Sequence, residues 1–433
     1  MDVQGKKLLI LGGSKLMEVI VNKAKSMGIF TIVTDNRPIS SAPVKLLADE
    51  YRDIDFSDYE AIKQLVNDLS IDGVITGFSD ADLEKYLRIC EDNNFPCYGG
   101  KNQFLIATNK SAFKKACVES GVPVIPGITA SCLEDAKEFA DKTGYPIMLK
   151  PVDNSGSRGV IKCDAECDLE SAYEYALLYS DLKLVIVEKY LDCDSIAVSY
   201  FASNGMIRLS TTDDRMMYVS PASGSSISCY SEYPSSYTER YIKEVNDSVI
   251  KMLKKNGFHD GMISLQAFVD DESFYFCEMC YRLSGGQHFL LTESLNHIDQ
   301  LGLLIQYAVT GSNEDDWKPE TETPFFRENC AMLRILGVPG KKITRLDGFD
   351  KLQKSNRVLK AYPAKHVGDV IGQDGTTPQV VGNILYKFSK EEDRTKVAEE
   401  LMNSLQIEDE NGDSIIWFTL GKAFDNEDNS VDK

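Results

Sequence analysis

The chain is poor in histidine: four in 433 residues, with no His-x-x-x-His pair, so a zinc-type site of that pattern is not expected. It is also short of basic charge. Lys and Arg number 47 against 67 Asp and Glu, a net charge of −20, which argues against a nucleic-acid partner. An anionic small molecule is still allowed, because a pocket can be locally basic. No apolar run approaches the ~20 residues needed to span a bilayer. Lys6 and Lys7 precede only one short strand-like run, so no secretion signal is expected there. The eleven cysteines are an odd number scattered through the chain, a pattern of free thiols in a reducing compartment and of a cytoplasmic protein. Two phosphate-loop strings are missing as well. There is no Gly-x4-Gly-Lys-Ser/Thr, and Gly12-Gly13 after the first strand lacks the rest of a Gly-x-Gly-x-x-Gly.

What is present supplies a different loop. Ile147-Met148-Leu149-Lys150-Pro151-Val152-Asp153-Asn154-Ser155-Gly156-Ser157-Arg158-Gly159-Val160 is an apolar run, a lysine, a small-residue loop and a second apolar run. The pattern predicts strand, loop, strand: a hairpin whose tip brings backbone N–H groups and the Lys150 charge towards phosphate oxygens. On these residues alone an ordinary glycine-containing hairpin is an equal alternative.

At ~150 residues per domain the length allows about three domains. Residues 7–11, 16–27 and 29–34 read as strand, helix, strand, and 59–69, 73–76 and 81–93 continue the alternation, so a parallel sheet is expected. Residues 110–120 and 133–143 read as helices, and 208–228, rich in Gly and Ser, as a flexible loop. Residues 237–256 read as one long amphipathic helix. Residues 262–269 and 273–280 flank the acidic turn Asp270-Asp271-Glu272 and predict a second hairpin. Strict alternation would place Phe274, Phe276, Glu278 and Cys280 on one face and send Cys277 and Cys280 to opposite faces, which speaks against a redox dithiol. An odd loop would set Gln266 opposite Glu278. A carboxylate among aromatic neighbours needs a partner, either a metal ion or Arg282. Beyond a polar stretch at 313–324, short strands and a helix near 391–405 suggest a strand-rich terminal unit, with the last ten residues polar and acidic.

Taken in order, these motifs resemble the ATP-grasp superfamily, in its carboxylate–amine ligase, carbamoyl-phosphate-synthetase-like and biotin-carboxylase-like branch. The resemblance implies a multidomain α/β and α+β fold: a Rossmann-like pre-ATP-grasp domain over 1–105, an ATP-grasp domain over 106–312 with its lid at about 125–190, and a C-terminal α+β domain over 325–433. It implies ATP with Mg²⁺ or Mn²⁺ as cofactors. Lys110, Lys150 and the loop residues Ser155, Gly156, Ser157 and Gly159 would contact phosphates. Glu188, Lys189, Tyr190 and Leu191 would line the adenine pocket and Asp194 the ribose. Gln266 and Glu278 would hold the metal, although the motif ending in Arg282 carries Cys280 where the family has Asn, and Gln266 where it has Glu. Arg282 would stabilise the transferred charge and Arg215 would clamp a substrate carboxylate. The activity implied is ligation of a small-molecule carboxylate to an amine through an acyl phosphate, in a protein without nucleic-acid or membrane partners; relatives are often homodimers. Other readings are an ATP-binding protein with weakened chemistry, a carboxylase-like or carbamoyl-phosphate-synthetase-like activity, and a dinucleotide oxidoreductase.

Overall fold

The computed structural model describes residues 2–154, 156–313, 316–389 and 391–417. Among them the strands form sheets of four, eight, two and four strands.

The first sheet is parallel, in the order Glu50–Arg52, Phe30–Thr34, Lys7–Leu11, Gly73–Thr76. Three of its strands are mostly apolar because helices cover the sheet, with Leu8, Leu9, Ile10 and Ile32 fully buried, whereas the edge strand Glu50–Arg52 is not buried. The helices Glu18–Ser26 and Tyr59–Leu69 supply crossovers, and Leu83–Asn93 follows the last strand of the sheet. The βαβ reading of this region therefore holds.

The second unit is a small antiparallel sheet ordered Gly127–Ala130, Val185–Lys189, Ile147–Pro151, Ile161–Cys163. Leu133–Thr143 and Leu169–Leu178 pack behind it around Ile147, Leu149, Val185 and Val187. The expected hairpin is here, with Ile147 opposite Cys163.

The large sheet sets the site. Its order is Phe274–Tyr281, Gly261–Val269, Asp194–Ser203, Met206–Val219, Ser226–Tyr233, Asn329–Leu336, Val380–Phe388, Val358–Pro363. Two expectations are corrected. Residues 208–228 are not a flexible loop: most of them belong to the paired strands Met206–Val219 and Ser226–Tyr233. Ser210, Thr211, Thr212 and Asp213 are buried, so pairing on both sides overrides the weak local preference of a Ser-rich segment. Residues 237–256 are two helices, Thr238–Glu244 and Asn246–Lys255, interrupted at Val245. The sheet continues from Ser226–Tyr233 into Asn329–Leu336, across the polar stretch at 313–324. The helix Arg394–Met402 and the ribbon Arg345–Asp347 with Gln406–Glu408 belong to the terminal part. The last ten residues lie outside the described residues. No helix among the described residues is long and apolar enough to cross a membrane.

Candidate active site

The small sheet brings three lysines together. Lys150, at the end of its strand, donates to the buried Glu188 carboxylate at 2.5 Å. Lys114, one helical turn after Lys110 on Lys110–Val118, reaches the other Glu188 oxygen at 2.5 Å. Burial alone would push the Glu188 carboxyl up, but the Lys150 and Lys114 charges outweigh it and hold it below the usual range. Burial likewise opposes the Lys150 charge, and Glu188 overcomes it and raises the ammonium pKa. The Lys110 ammonium donates to the Asn154 carbonyl at the root of the loop. Asn109 caps that helix by accepting from the Ala112 N–H.

The loop is closed against the rest of the molecule. The Ser157 hydroxyl donates to the Ser226 carbonyl at 2.6 Å, the Lys162 N–H to the Ser223 carbonyl at 3.0 Å, and the Thr377 N–H to the Gly156 carbonyl at 3.4 Å. Gly159 lies against Tyr179. Ser155 lies outside the described residues. Further along, Lys189 and Asp194 are exposed, Tyr190 stacks under the Lys162 ammonium, and Leu191 is half-buried. The Tyr237 hydroxyl donates to Asp194.

Facing this hairpin is the large sheet. Gln266 does sit directly opposite Glu278. Beyond that pair the face assignment changes. The register shifts between Gln266 and Ala267, where Cys277 forms a bulge, so Ala267 pairs with Phe276 and Val269 with Phe274. Phe274 and Phe276 therefore join Met279 and Tyr281 on the buried face, leaving Glu278 and Cys280 with Gln266 on the other. Cys277 also lies within electrostatic reach of Lys150, Glu188, Glu278 and Arg215, so the opposite-face expectation for the two cysteines fails at the same bulge. Both thiols are free.

Glu278 carries a carboxylate without a hydrogen bond or ion pair among the described residues, and the Gln266 amide is equally unengaged. Arg282 does not satisfy it. Its guanidinium forks onto both oxygens of Asp80, at 2.7 and 2.6 Å, after the last strand of the parallel sheet. Glu278 instead lies within electrostatic reach of Lys150 and Arg215. One free carboxylate beside an amide oxygen fits a hard divalent cation whose other ligands are phosphate and water. Among the described residues no cluster of three or more acidic, His or Cys side chains could hold a metal without such help.

Beyond Glu278 lies a cationic patch. Arg215 pairs with the buried Asp213 at 3.0 Å. Arg334, half-buried, donates to the Ser228 carbonyl at 3.2 Å and has no ion pair among the described residues. Burial, and then the Arg215 charge, lowers its pKa. His288 is buried nearby and held neutral, pushed down to about 4 by burial and then by Arg215. Lys114, Asp80, His288 and Arg334 were not singled out from the sequence. Two of them left a signal: Lys114 follows Lys110 by four residues, hence on one helix face, and Arg334 interrupts the apolar run Cys330 to Leu336.

Residues 109–299 match the family model described as carbamoyl-phosphate synthase L chain, ATP binding domain. The formate-dependent phosphoribosylglycinamide formyltransferase of Bacillus velezensis is 22% identical over 284 residues, covering 64% of this chain and 71% of that protein. The chain spans about half the length of most other curated relatives it matches, 43–50%. Among solved structures, the L-amino acid ligase from Bacillus licheniformis superposes with a TM-score of 0.76 at 17% identity, over 93% of this chain and 98% of that one. The biotin carboxylase domain of 2-oxoglutarate carboxylase from Hydrogenobacter thermophilus, solved with MgADP and bicarbonate, gives 0.76 at 19% identity, over 94% and 91%. At these identities the structural likeness speaks for the fold.

Proposed function

We propose, from the match of residues 109–299 to the carbamoyl-phosphate synthase ATP-binding model and the shared fold, that this chain is an ATP-grasp enzyme: an ATP-dependent ligase that activates a small carboxylate as an acyl phosphate and passes the acyl group to an amine, releasing ADP and phosphate. The observation that carries this reading is the unengaged Glu278 carboxylate, set beside Gln266 on the sheet and facing Lys150 of the closed hairpin.

The placement of these residues supports the following roles. Lys110 and Lys150 approach the phosphates from the hairpin side, with Gly156, Ser157 and Gly159 closing over them. Glu188, through Lys150 and Lys114, positions that end of the site, and the Lys189–Leu191 backbone edge faces the base. Mg²⁺ held by Glu278 and the Gln266 carbonyl would supply charge neutralisation on the β and γ oxygens. Arg215 is paired with Asp213 and Arg334 has no ion pair among the described residues, so the two guanidiniums suit the carboxylate of the substrate. Arg282, fixed by Asp80, steadies charge on the transferred group. Carboxylate oxygen attacks the γ-phosphorus, the bond to the β-bridging oxygen breaks, and the amine nitrogen then displaces phosphate from the acyl carbon. The closed hairpin keeps water from the acyl phosphate.

A second reading, an ATP-binding protein with weakened chemistry, is favoured by Cys280 and Gln266. The test is ADP and phosphate release from ATP–Mg²⁺ across a grid of carboxylates and amines. The ligase reading expects release that needs one carboxylate and falls at least 100-fold in Lys150→Ala and Glu278→Gln. ATP binding with no release anywhere on the grid would favour the second reading.

A further inference from the structure

We propose that this site anchors one divalent cation beside the triphosphate rather than a pair; the inference rests on the ATP site described above. It comes from counting which donors near Glu278 are free. Glu188 is bound on both oxygens, by Lys114 and Lys150. Asp80 is bound on both oxygens by Arg282, and Asp213 is bound by Arg215. Among the described residues, Glu278 keeps its carboxylate free.

The sheet floor around it adds little. In register across the strands, Glu278 is followed by Gln266 and then by Ala197, a bare methyl. The adjacent row runs Cys280, Ser264, Ser199. The two hydroxyls of that row are engaged with each other, Ser264 Oγ to Ser199 Oγ at 2.8 Å. Beyond Ala197 the row reaches Asp213, held by Arg215, so the floor near Glu278 presents one carboxylate outside an ion pair among the described residues, one amide carbonyl and the sulfurs of Cys280 and Cys277.

A single octahedral cation is served by that set, since phosphate and water complete its shell. A second cation, ~4 Å from the first in paired sites, would repel it and would need a hard anionic donor of its own. The next side chain on that face after Glu278 is Cys280, whose sulfur is a poor ligand for a hard cation. The protein therefore fixes one ion and leaves any other to the nucleotide and solvent alone.

The full chain saturated with ADP is titrated with Mn²⁺, and bound ions are counted by electron paramagnetic resonance. One protein-bound Mn²⁺ per chain is expected, without spin coupling to a neighbour. Glu278→Gln should lose that ion while nucleotide binding, read by calorimetry, persists. Cys280→Asp should raise the count to two and introduce spin coupling; Gln266→Glu, a change on the neighbouring strand, should tighten the single ion at least fivefold and serves if the first variant does not fold. Two coupled Mn²⁺ in the unaltered chain, or an unchanged count in Glu278→Gln, overturns the proposal. A chain that binds no nucleotide at all overturns instead the ATP site on which it rests.

Discussion

His288 shows what the cationic patch does to a single residue. It lies on the loop after Arg282, and its imidazole is pushed down to about 4 by burial and by Arg215. The unfolded chain takes up this proton near pH 6.5, whereas the folded chain refuses it until about 4. Stability from this group is therefore full above pH 6.5 and falls as pH drops towards 4, by up to about 3 kcal/mol. Denaturant midpoints between pH 7.5 and 4.5 should show that slope, and His288→Gln should flatten it. An identical slope in the variant would remove His288 as its source. At this scale the Gln266–Glu278 pairing came out as expected but for another reason: Val269 pairs with Phe274 across a four-residue turn, and the bulge at Cys277 is what brings Glu278 opposite Gln266. The sequence was silent on the bulge at Cys277, because a bulge depends on the partner strand and leaves no composition signal. It was silent too on Asp80, which meets Arg282 from 202 positions away.

The hairpin is the element on which the proposed turnover depends, and its docking partners come from distant parts of the chain. Gly224, in the turn after Met206–Val219, has φ +68, and a Cβ there would stand 2.6 Å from the Lys162 Cβ. Gly224→Ala should push the Ile161–Cys163 strand off the serine turn. The left-handed alanine costs roughly 1–2 kcal/mol of stability, and the clash with Lys162, by undocking the hairpin, should lower the apparent affinity for ATP about tenfold. Steady-state kinetics would read this as a raised KM for ATP, with extra ADP release uncoupled from product. Unchanged KM and coupling would mean the Ser223–Lys162 contact does not hold the closed form. The hairpin itself was readable from residues 147–160, since Lys150, the small-residue loop and the flanking apolar runs are contiguous. Its docking surface was not, because a Ser-rich segment reads locally as coil and becomes strand only between two neighbours in the large sheet.

For the whole molecule, the large sheet joins segments that the sequence separates. We propose units over 1–105, 106–312 and 325–433, yet Ser226–Tyr233 pairs with Asn329–Leu336 across the last boundary. A chain ending at 312 would leave Ser226–Tyr233 as an open edge and should be insoluble or open to protease, whereas the full chain should unfold as one transition through this sheet. A soluble, folded 1–312 fragment would refute that. Motif order carried the fold class, because each motif spans only a short stretch; strand order in the sheet, which departs from chain order, was not legible. The central claim is that carboxylate oxygen attacks the γ-phosphate. It is tested most directly with the active carboxylate labelled with ¹⁸O. The account predicts one ¹⁸O atom in each released phosphate, read by phosphorus NMR. Phosphate that carries no label from the carboxylate, with its new oxygen drawn from water instead, would contradict it.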